Sequence, residues 1–322
     1  MKLSRRGAAA LAIPFLLPAR GRAQVFPSRP VRLFVPFPPA GSADFLARVV
    51  AEHMAGQLGQ PFVVENRPGA GGNVGAGAVA RGERDGHTIM LGNVGVLAVN
   101  RFLFRNLPFD ADRDFAPIAL LATVPSFVVV PPSLPVTTLA ELIAYARARP
   151  RQLNYGSIGN GTSQHIASEL FNAATGTELV HVIYRETSAA NTDLMEGRVQ
   201  VLFQSTAAVA ELVRAGRMRA LAITSAARMA AFPDVPTLRE LGVDLVTEGW
   251  FGLVAPAGAP AEIVSTLERA AIAAVTAPAV SARLLTSGSV PQPLTGAEFA
   301  RFVQAEVARM GPVLRAANVQ AD

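Results

Sequence analysis

The sequence contains no cysteine. That removes disulfides, thiol nucleophiles and thiolate metal sites together. The four histidines, His53, His87, His165 and His181, have no spacing suited to a metal, and neither a metal nor an organic cofactor is expected. Outside the N-terminal segment no basic tract with interleaved aromatics occurs, which argues against a nucleic-acid partner. No Ser/His/Asp order and no paired carboxylates can be identified from spacing. Beyond the N-terminus no apolar segment is long enough to cross a bilayer as a helix. Tryptophan occurs once, at Trp250, where hinge packing is the better reading than ligand stacking. What remains is a chain of 322 residues, 50% of them hydrophobic, long enough to bury a full core in two lobes.

The first 23 residues read as a secretory signal. Lys2, Arg5 and Arg6 precede an apolar run from Ala8 to Leu17, and Gly21-Arg22-Ala23 offers a small-x-small cleavage site that would release Gln24. Ser4-Arg5-Arg6 points toward twin-arginine export, though a full motif is absent. This segment holds five basic residues and no acid, so its removal takes the formal charge from +5 to zero. The basicity of the whole chain is therefore mostly a targeting feature. Export without disulfides points to a bacterial periplasm, and a monomer is expected.

Strand and helix signals alternate, the pattern of an α/β fold with mostly parallel sheets flanked by helices. Leu33-Phe34-Val35 is a short apolar run stopped by Pro36 to Gly41. Ser42 is placed to cap the helix that follows, with Asp44 in its first turn. Leu46, Val49, Val50, Met54 and Leu58 repeat at helical spacing and Gly59 suits the C-terminal cap. Further strands are expected at 62–65, 88–91, 153–157, 180–184, 199–204 and 220–224. Capping boxes occur at Thr138-x-x-Glu141, Thr237-x-x-Glu240 and Thr295-x-x-Glu298. Pro117 to Pro132 and Glu248 to Pro256 are apolar crossover strands that would hinge two lobes, residues 24–124 plus 250–322 and residues 125–249. The C-terminal material reads as helices with little new strand.

Two loops invite a function. Pro36 to Gly41 joins a strand to a helix and exposes backbone N–H groups, a natural anion seat without a reactive side chain. Gly156 to Ser163, GSIGNGTS, lacks the lysine of a phosphate loop and the preceding glycine of a nucleophile elbow. It offers backbone amides and the hydroxyls of Ser157, Thr162 and Ser163 to an anion, unless it is an ordinary strand-to-helix connection. His165 lies one turn before Glu169, where a pair could form. A hydrolase using Ser157 with His165 is the competing enzymatic reading. Gly69 to Gly77 invites a nucleotide reading, and Gly75-x-Gly77-x-x-Ala80 matches a degenerate dinucleotide fingerprint, but it lies too far beyond its strand, so close packing is the better reading.

In order along the chain, VPFPPAGSAD at 35–44, ENRPGAGGNVGA at 65–76, Asp85-Gly86-His87-Thr88, Asp114-Phe115-Ala116-Pro117, YGSIGNGTSQH at 155–165 and PDVPTLRELG at 233–242 resemble the substrate-binding proteins of tripartite tricarboxylate transporters, the Bug or TctC family. The resemblance covers the mature chain. It implies a two-lobed, type II-like periplasmic binding fold that closes on a small organic carboxylate and delivers it to membrane permease subunits, or in some members signals through a sensor kinase. It also implies a ligand set. Phe37, Pro39, Ala40, Gly41, Ser42 and Asp44 would line the first-lobe loop. Ser157, Gly159, Gly161, Thr162, Ser163 and His165 would line the second, with Asn93, Gln204 and Ser205 at the cleft wall. Three departures concern specificity. Ala40 replaces a glycine, Gln200 replaces an aspartate, and Tyr184-Arg185-Glu186-Thr187-Ser188-Ala189 carries Glu186 for a glycine and lacks a proline. If Glu186 faces the cleft, its charge disfavours a second acidic group on the ligand; alternatively it pairs with Arg185 or points to water.

Overall fold

A computed structural model describes residues 26–39 and 41–316; the expected export segment and Ala40 lie outside the described residues. The N-terminal half alternates β1 (Val31–Val35), α1 (Ser42–Leu58), β2 (Phe62–Asn66), α2 (Asn73–Ala80), β3 (Thr88–Asn93), α3 (Asn100–Leu103) and β4 (Phe115–Val124). A second run follows: β5 (Ser126–Val130), α4 (Leu139–Arg147), β6 (Asn154–Ser157), α5 (Ser163–Thr175), β7 (Val180–Ile183), α6 (Thr187–Met195), β8 (Val201–Ser205), α7 (Thr206–Arg214) and β9 (Arg219–Ile223). The chain ends with β10 (Gly249–Pro256), α8 (Ala261–Thr276), α9 (Pro278–Thr286), β11 (Val290–Thr295) and α10 (Gly296–Ala316).

These strands make two sheets, ordered β11-β4-β10-β3-β1-β2 and β7-β6-β8-β5-β9. Both are mixed. Strands β2, β1 and β3 run parallel, as do β7, β6 and β8. The strands that return from the other sheet or from the C-terminal helices, β10, β11 and β5, pair antiparallel. The apolar run from Pro117 to Pro132 breaks at Pro125, which separates β4 of one sheet from β5 of the other. The chain returns between residues 224 and 248, before β10 enters the first sheet as an inner strand.

The periodicity of α1 sets its packing. Leu46, Val50 and Met54 bury against Val31, Leu33 and Val35 of β1 and against Leu267 and Ala271 of α8. Each such fully buried side chain contributes about 1.5–3 kcal/mol by leaving water. Gly59 ends the helix in the left-handed conformation, φ 73°. The other face of the first sheet continues without a break into the second. Phe34, Met90 and Val96 belong to one core with Val128, Tyr155, Phe203, Trp250 and Phe299. Trp250 is buried, packs edge-on against Phe299 and Phe302, and donates from Nε1 to Glu306.

Three local expectations change. The N-cap of α1 is Gly41, which has no side chain to cap with, and Ser42 is already the first helical residue. Thr237 and Glu240 do form both capping-box bonds, yet the segment closes only turns before Gly242 and carries no helix. Residues 290–295 form a strand on the edge of the first sheet, broken in register between Pro291 and Leu294. An edge tolerates the missing proline N–H groups. Among the described residues no single helix is long and apolar enough to cross a membrane. α8 and α9 pass that test only as a pair bent by 67°, and both bury residues in the first-sheet core.

Candidate functional site

The first loop is built outward from β1. Asn66, at the end of the neighbouring β2, donates from Nδ2 to the Phe37 carbonyl at 3.1 Å and to Asp44 Oδ1 at 3.0 Å. Arg48 donates to Asp44 from one helical turn away at 3.0 Å and to Asn66 Oδ1 at 3.2 Å. Asp44 is buried, and this network ties the opening turn of α1 to the exit of β2. Phe37 is half-buried, Pro39 and Gly41 are exposed and Ser42 is half-buried.

The glycine-rich turn after β2 is a packing device. Gly72 has φ 93°, and a Cβ there would sit 2.8 Å from Val96 and 3.5 Å from the Phe37 ring. Gly75 leaves no room beside the Arg67 carbonyl and Pro36. Asn100, fully buried, donates to the Gly71 carbonyl at 3.1 Å and to Asn73 Oδ1 at 2.6 Å. The second loop lies against this turn. A Cβ on Gly71 would meet the Asn160 carbonyl at 3.3 Å, one on Gly95 the Gly161 carbonyl at 2.6 Å, and one on Gly161 Asn100 Oδ1 at 2.6 Å. Backbone from the two sheets meets here at distances only glycine permits.

The second loop runs from the end of β6 to the start of α5. Thr162 is the N-cap; its Oγ1 donates to the Gly159 carbonyl at 2.7 Å and accepts from His165 N. The amides of Ser163 and Gln164 precede any intrahelical partner and stand at the positive end of a 13-residue helix. Ser163 packs against Gly249, where β10 begins. Ser157 is 2% exposed; its Oγ accepts from Gly159 N at 3.1 Å and lies 2.6 Å from His181 Nε2. Behind the loop, the His181 ring is stacked between Tyr155 and His165, with centroids 4.8 and 4.5 Å away. Burial pushes His181 down to about 4 and His165, next to His181, down to about 3. Both rings are neutral at ordinary pH.

Two side-chain pairings differ from those read in the sequence. His165 does not meet Glu169: its Nδ1 accepts from Gly161 N at 3.2 Å, and Glu169 accepts from the Tyr155 hydroxyl. Burial pushes the Glu169 carboxyl up. The partner of Ser157 is His181, not His165: in the parallel register of β6 and β7 His181 stands opposite Tyr155, two residues from Ser157, and its Nε2 reaches Ser157 Oγ on the diagonal. A Ser157–His165 hydrolase pair is therefore not formed.

Of the three residues expected at a cleft wall, Asn93 accepts at Oδ1 from Val96 N at 3.0 Å. Gln204 accepts from Gln164 at 2.9 Å and from Ser205 N at 3.2 Å, and donates to Asn191 at 3.1 Å. Ser205 is the N-cap of α7 without a side-chain bond. Glu186 is exposed at the N-cap of α6 and makes no salt bridge with Arg185; its carboxylate accepts from Ser188 at 3.4 Å. The geometry adds Asn66, Asn100, Gln164, His181 and Asn191 to the residues read from the sequence. Of these, Asn66 lies in ENRPG, Gln164 in YGSIGNGTSQH and His181 in a strand, while Asn100 and Asn191 lie in no conspicuous pattern. No group of three or more metal-ligating side chains occurs among the described residues. The arrangement offers amides, hydroxyls and neutral imidazoles, suited to holding an anion by preorganised donors.

Residues 46–319 match the model of the tripartite tricarboxylate transporter family receptor. The chain is 40% identical over 282 residues to a UPF0065 protein encoded in the tcbD-tcbE intergenic region of Pseudomonas sp. strain P51, covering 85% of this chain and 83% of that one. It is 36% identical over 295 residues to protein BugT of Bordetella pertussis, covering 91% and 90%. Among solved structures it is similar to R. palustris Rpa4515 with adipate, at 38% identity and TM-score 0.84 over 91% of this chain and 99% of that one. It is also similar to MatC of Rhodopseudomonas palustris with bound malate, at 33% identity and TM-score 0.81 over 90% and 100%.

Proposed function

The chain belongs to the tripartite tricarboxylate transporter receptor family, and on that premise we propose that it is an exported solute-binding protein that captures a small organic carboxylate between its two lobes and delivers it to a permease of the tripartite type. Residues 1–23 direct it to the periplasm and are removed there. It acts as a binder, without turnover and without a cofactor. The observation that carries this reading is the meeting of the two loops around the Gly69–Gly72 turn, one from each sheet, each leading into a helix N-terminus. Amides fixed in this way replace the hydration of a carboxylate with no reorganisation when the ligand arrives. A ligand touching both loops stabilises the closed arrangement by its differential affinity.

Adipate and malate, bound by the two solved relatives, are the first probes. We expect a thermal-shift panel of mono-, di- and tricarboxylates, amino acids and neutral amides to give a rise with one carboxylate class and none with the amides. At a concentration of about 100 Kd the stabilisation is about 2.7 kcal/mol, or roughly 4 °C for a chain of this size. No response to any carboxylate would sink the reading. The same panel on Glu186→Gly tests the exposed carboxylate of Glu186 as a discriminator against a second acidic group; an unchanged order of preference removes it from selection.

A further inference from the structure

Ser157 has a hydrogen-bond inventory that decides what the seat can offer an anion. A seryl hydroxyl owns one proton and two lone pairs. One lone pair accepts from Gly159 N at 3.1 Å, and His181 Nε2 lies 2.6 Å from the oxygen. If the proton of this short bond comes from Ser157, the hydroxyl has nothing left to donate and presents a lone pair, which repels a carboxylate. If it comes from His181, both lone pairs are filled and the seryl proton is free. Its present acceptor is the Gly159 carbonyl at 3.2 Å, long for an O–H···O contact and easily exchanged for a better one.

The surroundings of His181 choose between these cases. The ring lies between Tyr155, at an interplanar angle of 9°, and His165, at 26°, so it cannot turn without breaking the stack. Among the described residues its one hydrogen bond is to Ser157. A neutral imidazole carries its proton on one nitrogen. His181 is half-buried, and a proton on Nδ1 would be left to water, with no acceptor among the described residues. A proton on Nε2 is used at once. Burial, which holds His181 neutral, is consistent with a single-proton ring.

We propose that His181 is a positioning residue of the carboxylate seat: with its proton on Nε2 it donates to Ser157 Oγ and turns the seryl O–H into a donor for the ligand. This rests on the carboxylate reading above, and the test separates the two. In the full mature protein labelled with 15N-histidine, the His181 resonance, assigned by its loss in His181→Gln, should show protonated Nε2 and bare Nδ1 before any ligand is added. The opposite tautomer overturns the proposal whatever the protein binds. Titration with adipate then reads the consequence. His181→Phe keeps a ring in the stack and removes the donor, so affinity should fall by about tenfold. His181→Gln retains an N–H donor and should restore part of the loss. In a Ser157→Ala background, His181→Phe should cost nothing further; an equal loss in both backgrounds would mean that His181 acts through packing and would sink the proposal. Melting curves confirm that each variant is folded. A native protein indifferent to every carboxylate would sink the carboxylate reading, while the tautomer measurement decides the hydrogen-bond assignment.

Discussion

The carboxamide of Asn66 reaches from the end of β2 to three groups: the Phe37 carbonyl of the first loop, Asp44 in the first turn of α1, and Arg48 one turn later. A carboxamide is suited to this position because it donates and accepts at once; a carboxylate does not donate. Asn66→Ala should cost about 1–2 kcal/mol in urea unfolding, since it strands the Phe37 carbonyl and weakens the hold on Asp44. Asn66→Asp should cost more at neutral pH. It would place two carboxylates about 3.0 Å apart where Asn66 now donates to Asp44, and acidification should recover part of the loss as one of them protonates. A pair of variants with equal, pH-independent losses would show that the network does not depend on this donor. The motif around Asn66 is conspicuous in the sequence, but its partners are not, because they lie 22 and 29 residues away and are brought near only by the β1–β2 register.

The two glycine-bearing loops work as elements, each defined by what approaches it. Gly161 has φ 76°, and an added Cβ would stand 2.6 Å from Asn100 Oδ1. Asn100 has nowhere to move, since its Nδ2 is committed to Gly71 and Asn73. Gly176, the C-cap of α5, has a similar φ of 61°, yet nothing approaches its Cβ position closer than 3.9 Å. Gly176→Ala should therefore cost only the left-handed strain, about 1 kcal/mol, whereas Gly161→Ala adds the clash and should cost about 2–3 kcal/mol and weaken ligand binding as the loop shifts. Equal urea midpoints for the two would refute the close interlobe contact. This contrast also marks how far the sequence is legible. The alternation of strand and helix, the capping box of α4 and the αL end of α1 are local signals, readable in the sequence. β11 was not, because Pro291 and Pro293 argue against any strand, and only its place at a sheet edge makes them tolerable. The Ser157–His181 contact was hidden for another reason: it depends on which strand lies beside β6, a fact of topology that spacing does not contain.

At the scale of the molecule, the two sheets share a continuous apolar core and are joined at Pro125 and through residues 224–248. Beside this second connection lies a cavity of about 580 Å³, bounded by Leu170 and Ala174 of α5, Phe302 and Glu306 of α10, and Trp250. Glu248 lines it, just before β10. Burial, with a smaller push from Glu306, raises its carboxyl to about 7 against the stabilising bond from Thr123. Arg309 and Arg239 also line the cavity, but Arg309 is engaged with Glu306 and the Val246 carbonyl and Arg239 with Asp244. Between its ordinary value of 4.5 and about 7, the native chain keeps a proton that the unfolded chain has released. Native protein thus binds more protons than unfolded protein across that window, and the contribution of Glu248 to stability falls as pH rises through it. Above about pH 7 the full penalty of a buried charge remains. Glu248→Gln has no charge to bury, so its melting temperature relative to native should be near zero or slightly lower at pH 4.5 and should climb by several degrees by pH 8. A difference that stays flat between pH 4.5 and 8 would show that Glu248 is hydrated in the folded protein and that the junction between the lobes is open to water there.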